Sequence, residues 1–507
     1  MTMKPTSRAC RVPTRRFLWL LLAASIVPAA LAAAPAASES TPAGVPAPSM
    51  SPAMPPMPPA MTGAPPGGPS GMPPMGGPPP EYVAAIQIQD GAYVAAGSRP
   101  AAVRGKIAGA TSASGLTIAS SADAFNGLVV SGRNSRFVLR DSSITLSGKG
   151  TSDFDGVAAG ALVSDGATLE LRNVRVTTSG VVSSAATAMG GATLRVYKST
   201  LITHGGPLPS GYVRRIGPGM KEPPTPLGIA GDARAHLTMS GAKSYFYDST
   251  IIADGWGALS TDATGGYVYL EANNCDVRTI RSGYGTYADG GAHVVINHSR
   301  FDTASYLGII AGSGEFRFDD LTGRSGGNGV MIHSVMAPDP TEKGVLTIVG
   351  GTLTTRDAAI LVKSANADIT IEHAVLRPAN GDLVLAVVND DANATRVSGR
   401  KVPGISVTLR DDRLEGNLLH LDTDRPMRVT LAGTTLRGII RNATVSLDAT
   451  SRWTATGDSK VVLAGPVDVA HIDAPTGVTI EATASADTDL HGRHTLASGG
   501  TLAIAAP

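Results

Sequence analysis

Two segments of the chain repeat one pattern of aromatic, glycine and aspartate: Trp256-Gly257-Ala-Leu-Ser-Thr-Asp262 and Tyr284-Gly285-Thr-Tyr287-Ala-Asp289. On adjacent strands, about 4.8 Å apart, equivalent residues stack. Asp262 and Asp289 would then be neighbours, with Trp256 and Tyr284 forming an aromatic ledge beside them and Tyr287 a further ligand-binding candidate. Close carboxylates raise one of the two pKa values and can divide acid and base work on a glycosidic bond. Their oxygens also suit Ca²⁺ as a cofactor. Exposed rings would stack on sugars. Arg234, together with Arg214, Arg215 and Lys221 from a nearby insertion, would supply positive charge for an acidic glycan.

A second reading of the same residues is structural. Asp289-Gly290-Gly291 is turn chemistry, since Asp bonds nearby amides and Gly takes positive φ; Asp262 precedes Gly265-Gly266 at the matching place. Asp165-Gly166 has the same form without an aromatic companion. His333 and Lys363 stand in similar contexts (Val330-Met-Ile-His333-Ser, Ile360-Leu-Val-Lys363-Ser) and would share one face. His293 and His298 do not have the spacing of a metal triad. G-x-S-x-G, H-E-x-x-H, P-loop and paired C-x-x-C motifs are absent from the sequence.

The elements that must position these residues come from a repeat of apolar positions, Φ-x-Φ-x4-Φ. Its sets are Phe137/Leu139/Ile144, Leu169/Leu171/Val176, Leu194/Val196/Leu201, Ser244/Phe246/Ile251 and Val268/Leu270/Cys275. They continue as Val294/Ile296/Phe301, Leu346/Ile348/Leu353, Ile369/Ile371/Leu376, Val407/Leu409/Leu414 and Val429/Leu431/Leu436. Only Ser244 departs from apolar. Two alternating apolar residues make a strand with one buried face. A tight turn follows, as at Lys198-Ser199 and Asp248-Ser249, and the third apolar residue points inward again. Such a unit cannot bury its apolar face alone, so copies must stack. The repeat predicts an all-β parallel solenoid over residues 81–440, with looser capping coils over 441–507. One insertion, 205–227, carries Tyr212, Arg214, Arg215, Lys221 and the prolines 207, 209, 218, 223 and 224. It reads equally as a binding lid or as a packing flap.

Composition narrows the function classes. The 16% of charged residues and the formal net charge of +1 give no basic field for nucleic acid. Residues 1–32 read as an export signal: Arg8, Arg11, Arg15 and Arg16 precede an apolar run from Phe17 to Ala34, and Ala30-Leu31-Ala32 offers a small-x-small cleavage site. No later apolar stretch is long enough to span a membrane. Residues 33–80 are almost entirely Pro, Ala, Gly, Ser and Met with Glu39 as the only charge, the composition of a disordered tether. Its Met50, Met54, Met57, Met61, Met72 and Met75 are soft donors that could hold Cu(I), or are simply tether composition. Cys10 would leave with the signal. Cys275 reads as a small inward apolar residue, so a disulfide framework is excluded.

The stacked sets resemble the right-handed parallel β-helix of the pectin-lyase-like superfamily, which includes polysaccharide lyases and hydrolases, phage tailspikes and autotransporter passengers. The handedness comes from that resemblance. In its lyase-like members Ca²⁺ neutralises a uronate before proton abstraction. Val445-Ser-Leu-Asp-Ala-Thr-Ser-Arg-Trp453-Thr-Ala-Thr-Gly457-Asp-Ser459 resembles the tail segment of autotransporter passengers and adhesin-like β-helices. No translocator segment follows it here, so the resemblance implies a passenger-like body alone. The expected function is an exported, non-catalytic, adhesin-like or glycan-binding β-helix at the cell envelope, with a polysaccharide or cell-surface glycan as partner. A polysaccharide lyase, hydrolase or epimerase with its groove at Asp262 and Asp289 is the alternative, and a structural spacer the third reading.

Overall fold

The computed structural model describes residues 80–505, apart from 108, 218, 264–265, 335–340, 390–400 and 489. The export signal and the Met-rich tether lie outside the described residues. All described residues belong to the unit Pro69–Pro507.

The central coils each contribute three short strands to three parallel faces; in the first coils the second and third run together, as in Arg136–Leu146 and Thr168–Thr178. One coil is Arg234–Met239, Lys243–Tyr247 and Thr250–Ala253; the next is Gly257–Asp262, Tyr269–Asn273 and Asp276–Thr279. Corresponding strands pair in parallel, with Leu237 opposite Ser260, Phe246 opposite Ala272 and Ile251 opposite Val277. We name these faces sheets 1, 2 and 3 in that order. The architecture is a parallel β-helix, as the apolar repeat predicts. Leu194, Val196 and Leu201 are fully buried inside it, stacked on Leu169, Leu171 and Val176. Each such side chain contributes about 1.5–3 kcal/mol when taken from water, and only a neighbouring coil can supply the cover. No described helix is long and apolar enough to cross a membrane.

Three departures from the sequence reading have clear causes. Leu270, Ala272 and Val277, not Val268, Leu270 and Cys275, align with Ser244, Phe246 and Ile251. A shift of two residues leaves a period-two pattern unchanged, so alternation alone does not set this register. Cys275 therefore sits in the turn between sheets 2 and 3, in line with Ser249 and Ser299. Its N–H donates to Ser299 Oγ at 3.0 Å and its thiol to the Asn273 carbonyl at 3.3 Å. Ser249 and Ser299 make the same bond to the carbonyl two residues back. The second departure is an extra coil, Glu315–Asp319 and Thr322–Ser325, whose third inward position is Gly323. Phe316, Phe318 and Phe301 fill its interior. A Cβ on Gly323 would lie 2.7 Å from Leu307 Cδ1 and 2.9 Å from Leu353 Cδ2. The third departure explains Ser244. It accepts a hydrogen bond from Thr238 Oγ1 at 2.7 Å, and Thr238 Oγ1 lies 2.6 Å from His236 Nε2. His236 Nδ1 reaches the Ala186 carbonyl at 3.0 Å, and its ring packs edge-on against Phe246. Burial lowers the His236 pKa to about 3, so this internal chain is neutral.

Both ends of the stack close with antiparallel pairs, Val83–Gln89 with Ala92–Tyr93 and Gly492–Thr495 with Thr501–Ala505. Such pairs cover strand edges that would otherwise recruit other chains. In the C-terminal coils Trp453 stacks on Leu436, is fully buried and donates to the Gly438 carbonyl at 2.9 Å.

Candidate functional site

The predicted cluster lies on the outer face of sheet 1. The register that pairs Ser260 with Tyr287 carries Asp262 opposite Asp289 two residues further on. Gly257, not Trp256, pairs with Tyr284. Trp256 is the turn residue before its strand, at φ +58°, so the two rings come from neighbouring register positions rather than equivalent ones. Gly257 is required where it stands: a Cβ there would lie 2.0 Å from the Tyr284 ring.

Trp256 and Tyr284 do not form an exposed ledge. They are 2% and 1% exposed, packed with Met220, Leu227 and Ile229 from the insertion and its exit and with Ile309 and Met331 from later coils. The insertion folds back as a flap because this outer stripe of sheet 1 is apolar, and covering it removes both surfaces from water. A second loop, 147–160, straps the flap down. Asp153 N–H donates to the Met220 carbonyl at 3.3 Å, Gly219 N–H to Ser152 Oγ at 3.0 Å, and Lys221 Nζ to the Thr151 carbonyl.

The strap also inserts Asp153 beneath the flap, a residue the sequence reading missed because its partner is 81 positions away. Asp153 and Arg234 form a buried ion pair, 5% and 4% exposed at the side chain. The Arg234 guanidinium lies 5.1 Å from the Trp256 ring centre and 5.4 Å from that of Phe154. Burial opposes the guanidinium charge, but Asp153, then Tyr284 and Asp262, offset it and raise the Arg234 pKa. Burial raises the Asp153 carboxyl against the pull of Arg234. Asp289 is raised well above the usual carboxylate range, first by burial and then by the charge of Asp262. Its Oδ1 accepts the Ala263 N–H at 2.9 Å, a bond to the neighbouring coil 26 positions back rather than to an amide of its own turn. Tyr284 Oη is 3.0 Å from Ser260 Oγ, and the Tyr284 and Tyr287 rings stack at 5.3 Å.

The positive charges assigned to an acidic glycan are mostly committed elsewhere. Arg234 belongs to the buried pair. Arg214 donates to Thr225 Oγ1 at 2.7 Å and pairs with Glu222. Lys221 holds the strap, and Arg215 is exposed on the insertion. His333 and Lys363 stack in the column that holds Asp289 and Ala311, but His333 is buried. A concavity of about 370 Å³ opens away from this cluster, over Asp141, Asn173, Lys198 and Thr200 at a turn between sheets 2 and 3.

A different surface carries the accessible aromatics. On the outer face of sheet 2, five of the chain's 11 tyrosines (Tyr197, Tyr245, Tyr247, Tyr267 and Tyr269) lie on three consecutive coils. Tyr197 and Tyr247 stack at 5.0 Å, with the Arg172 guanidinium 4.4 Å from the centre of Tyr197. Tyr245 meets Tyr269 at 5.7 Å and Arg195 at 5.6 Å. Tyr267, 54% exposed, lies against Tyr269 and His293. Tyr269 Oη donates to Glu271 Oε2 at 2.7 Å, and Asn273 and Asn297 extend the network to the next coil. The signal was present in Lys243-Ser-Tyr245-Phe-Tyr247 and Tyr267-Val-Tyr269. Tyrosine there takes the outward place of an alternating strand, where a polar residue is usual.

Comparison with known proteins adds no assignment: no family model matches the chain, and no curated protein matches it.

Proposed function

We propose that this protein is an exported, non-catalytic β-helix that binds a glycan at the cell envelope through the tyrosine face of sheet 2. The observation that carries the reading is the cluster of half-buried and exposed tyrosines held at fixed coil spacing on a rigid sheet. Tyrosine provides a large amphipathic contact with few rotatable bonds, so little entropy is lost on binding. The resemblance to adhesin-like and passenger β-helices supports the same reading. Against an enzyme at Asp262 and Asp289 stand the flap over the aromatics, the buried Asp153–Arg234 pair and the Ala263 amide bonded to Asp289.

The test is a polysaccharide panel on which binding and product formation are recorded together, with and without Ca²⁺. Binding without products, weakened in a Tyr197→Ala/Tyr247→Ala variant and kept in Asp289→Asn, is the expected result. Products that disappear in an Asp262→Ala/Asp289→Ala variant of intact fold would establish the enzyme reading instead.

A further inference from the structure

Resting on that reading, we infer that the ligand of the sheet 2 face is an extended, uncharged polymer of hydroxyl-bearing units that spans several coils. Charge is the first ground. Over the coils from Glu170 to Asp319, the outward cations Arg172, Arg195, Lys243 and Arg317 meet the carboxylates Glu170, Glu271, Glu315 and Asp319 in equal number. Arg172 pairs with Glu170, Arg317 with Asp319 and His293 with Glu315. A face so balanced has no net field with which to select a uronate or sulfate chain.

Ring orientation is the second ground. Tyr197 and Tyr247 are nearly parallel, 11° between planes, and the Arg172 guanidinium lies over Tyr197. Stacking along the solenoid covers the faces of these rings, so the outward surface offers their edges and hydroxyls instead. Beside them stand the Asn273 and Asn297 amides, the Glu271 carboxylate and Arg195. Donors and acceptors in this mixture match a ligand that carries hydroxyls, which both donate and accept.

Repetition is the third ground. The donors recur from Thr193–Tyr197 to His293–Asn297, over three intervening strand pairings. At ~4.8 Å per pairing this is about 14 Å of surface between the outer strands. A polymer lying across the coils meets a new set of polar tips at each step, whereas a single sugar meets one set.

The experiment compares the full chain on uncharged polymers (dextran, soluble β-glucan, galactomannan) and charged ones (polygalacturonate, alginate), at low and high salt, with size-graded oligomers of any binder. Two variants are run alongside: Tyr197→Ala/Tyr247→Ala, and Tyr267→Ala, whose exposed ring can be removed without opening the core. The expected result is binding to an uncharged polymer that changes less than twofold with salt, strengthens with oligomer length and falls at least tenfold in either variant. Binding confined to charged polymers, steep in salt yet lost in the variants, overturns this inference and leaves the sheet 2 site standing. A monomer that binds as well as the polymer overturns it too. Binding indifferent to both variants, or none to any polymer, overturns the site and the inference together.

Discussion

Removing the Arg234 guanidinium is the perturbation that most directly tests how the flap is held. In Arg234→Met the side chain keeps an unbranched apolar stem near Trp256 and Phe154 but loses the guanidinium and its charge. Asp153 is then buried without its cation, within reach of the Asp262 and Asp155 charges. Removing one partner of a buried pair costs about 3–5 kcal/mol, and the side chains of this pair are only 5% and 4% exposed. Because coils in a solenoid interact mainly with their neighbours, the loss should appear as local opening of strap and flap rather than global unfolding. At about 4 kcal/mol, the open population rises about a thousandfold. Native-state hydrogen exchange reads this at the Asp153 and Gly219 amides, whose bonds tie strap to flap. The double variant Asp153→Leu/Arg234→Met should recover most of the protection, since apolar replacement of a whole buried pair is often neutral. The defect of the single variant should also shrink toward pH 4, where the carboxyls take up protons. A change of less than tenfold in Arg234→Met at neutral pH would refute the assignment of the pair as the latch.

Further outcomes are expected at four residues. Asp289 has a raised folded-state pKa, so its contribution is fully present below the unfolded value of ~3.9 and is lost as pH rises through the folded value. Flap protection should therefore fall with rising pH, and Asp289→Asn should flatten that slope in exchange measured from pH 4 to 9. Trp256→Ala should cost about 3–5 kcal/mol in the same local opening, because the ring lies under the flap; limited proteolysis within 205–227 is the assay. Cys275→Ser should stay within about 1 kcal/mol of the parent in denaturant unfolding, because serine stands at the matching places 249 and 299. The native thiol, buried and pushed up to about 11, should resist alkylation until the coil opens. His236, with its pKa lowered to about 3 by burial, should show no titration of its ring NMR signals between pH 5 and 8.

The course of the chain was largely legible without coordinates, because inward residues of a stacked coil must be apolar and strands alternate. Phe137, Leu139 and Ile144 stack on Leu169, Leu171 and Val176 as their spacing requires. Legibility stopped where a shift of two preserves the alternation, as at Cys275, and where glycine replaced an apolar residue to make room for phenylalanines, as at Gly323. The candidate site was less legible. Aspartates 262 and 289 come together because strand stacking is regular, but their surroundings depend on segments distant in the chain. Asp153 reaches Arg234 across 81 positions, and a local motif carries no trace of it.

Local pattern by itself determined which residues face into the solenoid and which face out, since that follows from the two-residue period of a strand. Tertiary structure alone decided which outward residues meet water. Trp256 and Tyr245 both belong to aromatic-rich segments of adjacent coils, yet the first lies on sheet 1 under the flap and the second on the open face of sheet 2. The physical reason is that exposure depends on what else packs onto a face. Here a proline-stiffened insertion buries its own apolar residues by closing over one sheet, and leaves the other to its tyrosines.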